Sequence, residues 1–534
     1  MARGFDLVIK NGQLIDGTGS RYFKKDIGIA GGKIKAIGRI TAPAVKTIDV
    51  MGLTVTPGFI DIHCHSDRSI LAFPEAESFV MQGITTCVVG NCGETLAPVN
   101  PKTLPLLKRY FSASANEGFD WKWRTLAEYF AKVQKNGTSM NLAPLVGQGT
   151  VRLAVKGFEP GRATKDEMKQ MKRLVDEALS DGAFGLSTGL IYAPGTFSSP
   201  EEIIELASVL TRYGAVYTSH MRDEEGNLMK SVDETIKVGE VNNIPVEISH
   251  HKVKGKANWG KVSATLREME KARERGVEVN CDVYPYVASS TNIKAIVPTW
   301  LVEGGVDEML KRLKDKKLRD KAKNEILKGE IGGSNYIQAA GWDGIRIAAC
   351  PANHEYEGKS LEQILRARGV FDKPYEGFFD LLIEIEGGAG IIGFNMDEDD
   401  VKTVIAHPLS CICTDGTVTA PRGGGVPHPR YYGTFPRVLG KYVREEKLIP
   451  LEEAVRKMTA LPAGKMGITG RGLLKEGFFA DINVFDPATI IDKATFDKPH
   501  QYPEGLKYVI VNGEIVVDNG KHAGARPGLV LRKK

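Results

Sequence analysis

The sequence predicts an α/β fold: a (β/α)8 barrel with a small β-sandwich domain built from both termini, and an insertion between strands 7 and 8. Three observations support this. Short hairpin signals stand at both ends, apolar strands alternate with helical stretches in the middle, and a long gap precedes the last strand. Alternating strands and helices are typical of parallel βαβ units, and a count of eight strands favours a barrel. A chain of 534 residues has room for a barrel and a satellite domain.

The two ends of the chain carry similar hairpin signals. Asn11-Gly12 separates two short apolar runs near the N-terminus, and Asn512-Gly513 separates two similar runs near the C-terminus. Asn-Gly between such runs is a strong signal for a two-residue hairpin loop. We therefore predict one small β domain assembled from residues 1–55 and 464–534.

Eight strand candidates follow the first hairpins, with helical stretches at 165–180, 201–213 and 262–275. The strand candidates are 58–65, 86–92, 141–147, 183–189, 216–221, 246–250, 278–284 and 411–415. The gap between the seventh and eighth is too long for a loop. We predict an inserted subdomain at 292–406, with the barrel at 56–291 and 407–463.

Composition excludes several classes of protein. With 42% hydrophobic and 26% charged residues, the chain is that of a globular protein and not a disordered one. The net charge of +5 is spread along the chain, so no nucleic-acid partner is expected. No apolar stretch approaches the ~18 residues of a membrane span. The odd count of 7 cysteines and the lack of a signal-peptide pattern predict a cytoplasmic protein. The sequence predicts no oligomeric state.

Metal-ligand residue types recur where the predicted strands end. His63 and His65, two positions apart, project from the same side of the first strand. Other strands end in Cys92, His220, His250 and Asp415. A single histidine at a strand end is more often structural. However, five of eight strands present such residues at one rim, and the chain has only 10 histidines. Since this rim is the catalytic face of a barrel, the sequence predicts a metal centre there.

Long ordered motifs connect these residues to a known family. They are Gly58-Phe-Ile-Asp-Ile-His-Cys-His65, Val89-Gly-Asn-Cys-Gly93, Thr218-Ser-His-Met-Arg222, Ser249-His-His-Lys252, Asp282-Val-Tyr-Pro-Tyr286 and the segment from His428 to Gly440. Over nearly the whole chain the sequence resembles the N-acyl-D-amino-acid deacylases, or D-aminoacylases, of the amidohydrolase superfamily.

The resemblance implies a zinc enzyme that hydrolyses a small-molecule N-acyl amino acid. It implies that Cys92, His220 and His250 hold one tightly bound Zn²⁺. The weaker, second site would consist of His63, His65 and Asp415. Thiolate and imidazole are preferred zinc ligands, and three protein ligands leave a position open for water. Asp415 would serve as general base and then as general acid. The fourth strand contains no lysine to bridge two metals, and Cys92 would supply the bridge.

The substrate carboxylate requires a cation. Lys252 and Arg430 can supply it, and arginine suits a bidentate grip. The family implies Tyr192, Tyr284 and Ser289 as hydrogen-bond partners. The alternative for each is a salt bridge at the rim or an ordinary packed residue. The sequence leaves open whether the amino acid is D or L, and whether its side chain is apolar or acidic.

Three other functions are compatible with parts of the sequence. Gly185-Leu-Ser-Thr-Gly189 fits the nucleophile elbow of a serine hydrolase, with Asp415 and His428 following in triad order. The elbow requires a helix directly after the serine, and Pro194 and Gly195 disfavour one. A cyclic-amide hydrolase is disfavoured because the fourth strand lacks a lysine. A non-enzymatic relative is disfavoured because every ligand position is filled.

Overall fold

The barrel is built from eight short parallel strands. A computed structural model describes residues 4–111, 119–419 and 424–533. In chain order the barrel strands are Phe59–Asp61, Ile84–Val89, Asn141–Pro144 continued by Val146–Gly147, Gly185–Gly189, Val216–His220, Val246–Ile248, Val279–Val283 and Ser410–Ile412. Neighbours in this order pair in parallel. Beyond the last strand, the Asp415 amide donates to the His63 carbonyl over 2.8 Å and joins the eighth strand segment to the first.

Helices surround these strands. Lys165–Ser180 begins with a capping box between Thr164 and Glu167, and it buries one apolar face against the barrel. The helices of this layer are Glu77–Val80, Leu104–Tyr110, Leu126–Asn136, Gln148–Lys156, Lys165–Ser180, Pro200–Ala207, Leu228–Asn242, Val262–Glu274, Arg430–Arg437, Val438–Glu445 (a π-helix), Leu451–Met458 and Ala460–Met466. The predicted helix at 201–213 is an α-helix that ends at Ala207, followed by the 3-10 helix Ser208–Tyr213.

Both ends of the chain share one nine-stranded sheet. Thr54–Pro57 pairs antiparallel with Ile482–Phe485, which joins the N-terminal strands to the C-terminal ones. The remaining strands are Phe5–Leu14, Phe23–Ala30, Lys33–Gly38, Ala44–Asp49, Leu506–Val511, Glu514–Asp518 and Lys521–His522. The hairpin predicted at Asn512-Gly513 is present, but the one predicted at Asn11-Gly12 is wrong. Asn11 has a left-handed backbone (φ +62°) at a bulge inside the first strand, which pairs with Phe23–Ala30 on both sides of it. Apolar side chains from both ends form a separate core within this sheet. The predicted fold class is thus confirmed, whereas the domain boundaries stay predictions.

A third unit follows the seventh barrel strand. Its antiparallel sheet places Gly390–Gly393 between Ser289–Asn292 and Ile345–Ala349. Its helices are Val306–Arg312, Lys316–Lys328, Tyr336–Ala340, Leu361–Ala367 and Pro374–Glu384. The next helix, Glu398–Ala406, instead lies against the barrel helix Val262–Glu274. Among the residues described, no helix is long and apolar enough to cross a membrane.

Candidate metal centre

The thiol of Cys92 lies at the centre of a buried cluster on the carboxyl-terminal rim of the barrel. Its Sγ is 3.4 Å from His63 Nε2, 3.7 Å from His220 Nδ1 and 3.5 Å from His250 Nε2. Zn–S bonds of ~2.3 Å and Zn–N bonds of ~2.0 Å at tetrahedral angles place sulfur and nitrogen about 3.5 Å apart. Each separation therefore fits a sulfur and a nitrogen bound to a common zinc ion, with His220 and His250 on one side of Cys92 and His63 on the other.

A carboxylate extends the cluster on one side. Asp415 Oδ1 is 3.2 Å from His65 Nε2 and 3.5 Å from His63 Nε2. The donor atoms form two overlapping groups that share the Cys92 sulfur. The structure thus brings together all the side chains predicted as metal ligands: His63, His65, Cys92, His220, His250 and Asp415.

Three of these residues have a left-handed backbone. The φ angles are +54° at Cys92, +37° at His250 and +46° at Asp415. For residues other than glycine, such conformations cost ~1–3 kcal/mol each and concentrate at functional sites. The turn at Cys92 is held by Ser187, whose hydroxyl donates to the Gly90 carbonyl (2.5 Å) and accepts from the Gly93 amide (3.0 Å).

Glu224 supports two of the histidines from behind. Its fully buried carboxylate lies 3.2 Å from His250 Nδ1 and 3.7 Å from His220 Nε2. It also pairs with Lys252 (2.6 Å) and Lys254 (3.0 Å). Burial alone would raise the pKa of Glu224, but these two ammonium groups hold it well below its usual value. Such outer carboxylates orient histidine ligands and raise their basicity.

Asp282 plays the corresponding part for His63. Its Oδ2 lies 3.4 Å from His63 Nδ1, while Oδ1 accepts hydrogen bonds from the His250 amide (2.6 Å) and the Cys413 thiol (2.9 Å). Burial alone would lower the pKa of His63, but the charge of Asp282 raises it. One carboxylate therefore fixes a ligand side chain and the backbone of a second ligand.

His65 and Asp415 each contact an arginine. His65 Nδ1 lies 3.2 Å from Arg68 Nη2, and Asp415 Oδ2 lies 2.9 Å from Arg430 Nη1. Burial and then the Arg68 charge lower the pKa of His65 to about 3, so its ring is neutral. Burial alone would raise the pKa of Asp415, but Arg430 holds it well below its usual value. Asp415 is therefore an ionised carboxylate.

Comparison with known proteins identifies the relatives of this chain. The model of the Amidohydrolase family matches residues 339–517. A D-aminoacylase of Alcaligenes xylosoxydans xylosoxydans is 37% identical over 99% of this chain and 98% of its own length. The chain belongs to the N-acyl-D-amino-acid deacylase family. This confirms the resemblance predicted from the motifs.

Two solved structures of this deacylase family match closely. One is a structure of D-aminoacylase that concerns its binuclear metal centre, with one-metal activation and second-metal attenuation. Its TM-score is 0.82 at 37% identity, and the match covers 99% of this chain and 100% of that one. The other is the N-acyl-D-glutamate deacylase of Bordetella bronchiseptica with zinc and a phosphonate mimic of the tetrahedral intermediate. Its TM-score is 0.83 at 35% identity, with 99% and 100% coverage.

Four of the five residues that the deacylase family suggests for substrate binding adjoin the cluster. The Arg430 guanidinium lies 4.6 Å from the centre of the Tyr284 ring, and the Lys252 ammonium lies 5.6 Å from it. The Tyr192 ring is 5.0 Å from the His220 ring. Ser289 lies one contact farther out, where its hydroxyl donates to Asn395 Oδ1 over 3.1 Å.

The arrangement does not assemble the rival serine triad. Ser187 is engaged with the turn around Cys92, as described above. His428 Nε2 faces the Ala288 carbonyl at 2.9 Å, and its Nδ1 accepts from the Arg430 amide. Both contacts give His428 a structural role beside Arg430.

Sequence reasoning missed several residues of the deacylase site. They are Arg68, Ser187 as a backbone clamp, Glu224 and Asp282 in their supporting roles. The spacing of four between His220 and Glu224 was a usable signal, because His220 ends a strand and Glu224 lies in the loop that follows it. Arg68 follows His65 by three residues, whereas the partners of Ser187 lie in the turn after the second strand, and no local pattern connects Ser187 to that turn.

Proposed function

We propose that this chain is a zinc-dependent hydrolase that cleaves N-acyl-D-amino acids to a carboxylate and a free D-amino acid. The observation that carries the proposal is the position of Cys92 Sγ within 3.7 Å of three imidazole nitrogens. In this proposal Cys92, His220 and His250 form the tight site, and His63, His65 and Asp415 form the weak site. The cytoplasmic location and the absence of nucleic-acid and membrane partners stay predictions.

The reaction is an addition of water to an amide. When bound, zinc supplies a Lewis acid that polarises the carbonyl and makes a water molecule more acidic. Asp415 takes a proton from the water molecule while the water oxygen bonds to the carbonyl carbon. As the C–N bond breaks, Asp415 donates this proton to the departing nitrogen. An ionised Asp415 starts the cycle in the protonation state that a general base requires.

Cations beside the centre are suited to bind the carboxylate of the amino-acid part of the substrate. Arg430 is 98% buried and stacks on the Tyr284 ring, so its guanidinium is held in one orientation. A desolvated, fixed guanidinium can bind a carboxylate with two parallel hydrogen bonds. Lys252 already forms an ion pair with Glu224, so we assign it a weaker interaction with the substrate carboxylate.

Two adjoining pockets lie beside the centre. One is lined by Cys92, Glu94 and Tyr110, and the other extends from Tyr110 and Tyr192 towards the insertion. The second pocket is mostly apolar, with Lys294 among its lining residues. We propose that the variable part of the substrate occupies it, because it begins beside the metal centre.

A chiral assay tests the proposal. The purified protein, loaded with one equivalent of zinc, is incubated with racemic N-acetyl-methionine, and the enantiomer of the released methionine is identified. We expect D-methionine alone, and loss of the release after zinc is removed by a chelator. Release of the L form, or release that persists without metal, would overturn the proposal. A parallel reaction with racemic N-acetyl-glutamate then separates the apolar and acidic alternatives.

A further inference from the structure

We propose that Arg222 is a positioning residue for substrate binding, because it fixes the loop that carries Tyr192. Tyr192 lines both of the pockets beside the metal centre. The inference rests on the proposed function, since it concerns how the substrate of that reaction is held. Arg222 itself acts only through the loop.

The loop at 190–199 connects the fourth barrel strand to helix Pro200–Ala207. Within it, the Tyr192 ring lies 5.0 Å from the His220 ring. The Tyr192 hydroxyl is hydrogen-bonded to the Thr291 hydroxyl over 2.9 Å, and Thr291 belongs to the first strand of the insertion. Tyr192 therefore forms a wall between the barrel rim and the insertion, and its position determines the shape of both pockets.

Arg222 follows the fifth barrel strand and reaches this loop through two hydrogen bonds. Its Nη1 donates to the Thr196 carbonyl over 3.2 Å, and its Nη2 donates to the Ser198 carbonyl over 2.9 Å. The Thr196 amide in turn donates to the Tyr192 carbonyl over 2.8 Å. Thr196 thus connects the guanidinium of Arg222 to the backbone of Tyr192.

The guanidinium of Arg222 is itself fixed from behind. Its Nε and Nη2 donate to the two carboxylate oxygens of Glu234, over 3.1 and 2.8 Å. Paired hydrogen bonds of this kind hold a guanidinium in one orientation. Glu234 lies in helix Leu228–Asn242, which packs against helix Pro200–Ala207. A lysine could pair with this carboxylate, but one ammonium group cannot reproduce the planar set of donors.

The far end of the loop has a second support. The Ser198 hydroxyl donates to Glu202 over 2.7 Å and accepts a hydrogen bond from the Gln148 side chain over 2.8 Å. These contacts hold the residues next to the helix and leave Thr196 to Arg222. Loss of Arg222 should therefore loosen the part of the loop around Tyr192 without detaching its far end.

Steady-state kinetics of Arg222→Met test the proposal on the zinc-loaded protein with N-acetyl-D-methionine. We expect KM to rise at least tenfold while kcat stays within about threefold and zinc content is unchanged. The physical reason is that a displaced pocket wall weakens the binding of substrate and transition state alike. Arg222→Lys should give an intermediate KM. An unchanged KM, or a fall in kcat alone, would overturn the proposal.

A double-mutant cycle identifies the residue through which Arg222 acts. We expect the variant with both Arg222→Met and Tyr192→Ala to have the KM of Tyr192→Ala alone, because the wall is already absent. Additive effects of the two substitutions would show that Arg222 does not act through Tyr192, and would overturn the proposal.

Arg444→Met is the matched control. The Arg444 side chain is 28% exposed and that of Arg222 is 27% exposed. Arg444 also donates to a backbone carbonyl, that of Ile490, and pairs with a carboxylate, that of Glu445. We expect Arg444→Met to keep the KM of the unmodified protein. An equal rise in KM would show a general effect of losing an arginine and would count against Arg222.

Hydrogen exchange tests the loop without any substrate. We expect backbone amides at 190–199 to exchange at least tenfold faster in Arg222→Met than in the unmodified protein or in Arg444→Met. Unchanged exchange would contradict the proposal. If Arg222→Met does not fold, Glu234→Gln, which releases the same guanidinium, should show the same change. If the unmodified protein cleaves no N-acyl-D-amino acid, the proposed function fails, and the exchange rates still decide whether Arg222 fixes the loop.

Discussion

The two halves of the metal centre share a sulfur but differ in the charged groups around their other ligands. Behind the proposed tight site, Glu224 meets the outer nitrogens of both His220 and His250. In the proposed weak site, Asp282 lies behind His63, whereas Arg68 meets His65 and Arg430 meets Asp415. A divalent ion gains from carboxylates behind its ligands and loses where its ligands are already bound to cations. Similar ligand sets can therefore differ in metal affinity because of the charged groups behind their ligands.

Removal of the shared ligand gives the largest expected effect. Cys92→Ala deletes the sulfur that lies within 3.7 Å of the three imidazoles. We expect loss of the tight zinc after dialysis and a drop in kcat of about 10⁴-fold, equal to several kcal/mol of lost metal catalysis. Zinc content by elemental analysis and turnover of the expected substrate check this.

Cys411→Ala is the control, because its thiol is equally buried in the eighth strand but lies before the rim. Full zinc content and activity in Cys92→Ala would show that the Cys92 sulfur is not a ligand in either proposed metal site.

Asp415→Asn tests proton transfer separately from zinc binding at the proposed tight site. We expect it to keep one zinc, because we assign Asp415 to the proposed weak site, while kcat falls by about 10²–10⁴-fold as the proton shuttle is lost. Zinc analysis and initial rates on the same preparation give both numbers. Near-normal turnover would show that another group moves the proton.

Glu224→Gln probes the support behind the tight site. The substitution leaves Lys252 and Lys254 buried without their carboxylate, so we expect a loss of ~3–5 kcal/mol in the free energy of unfolding. We also expect zinc affinity to fall by about 10–100-fold as His220 and His250 lose their outer partner. Chemical denaturation and chelator competition measure the two effects.

The adjacent Glu225→Gln is the matched control for that experiment. Glu225 accepts a hydrogen bond from the Asn335 amide. The zinc affinity of Glu225→Gln should therefore match that of the unmodified protein. An equal fall in Glu224→Gln and Glu225→Gln would show that Glu224 has no specific role in zinc binding.

The smallest expected effect belongs to Ser187→Ala. It removes the hydrogen bonds that fix the turn at Cys92, and we expect a loss of ~1–2 kcal/mol in stability and less than about a tenfold change in kcat. Thermal unfolding and rate measurements suffice. Abolished activity with zinc and stability intact would instead favour a serine nucleophile.

Periodicity and residue type revealed most of the fold. The eight strands were visible as short apolar runs, and the Asn-Gly signals at both ends indicated a β domain shared by both termini. Only Asn512-Gly513 forms a hairpin, because Asn11-Gly12 has the same local residues but lies at a bulge inside one strand. Helix Glu398–Ala406 was harder to place, because nothing in its own pattern says that it lies against the barrel helix Val262–Glu274.

The ligands were predictable because a parallel barrel gathers its strand ends at one rim, so chemistry and position coincide there. Their supporting groups were harder to predict. Arg68 and Glu94 lie 26 residues apart, and the spacing of four from His220 does not show that Glu224 pairs with Lys252 and Lys254. The pairing of buried charges depends on side-chain packing between elements, which no local pattern encodes.

The coordination of the first zinc tests the account most directly. X-ray absorption at the zinc edge is measured on the protein holding one equivalent. We predict one sulfur at ~2.3 Å and two imidazole nitrogens at ~2.0–2.1 Å, completed by a light atom. A shell without sulfur would place the first ion elsewhere and contradict the assignment of Cys92, His220 and His250.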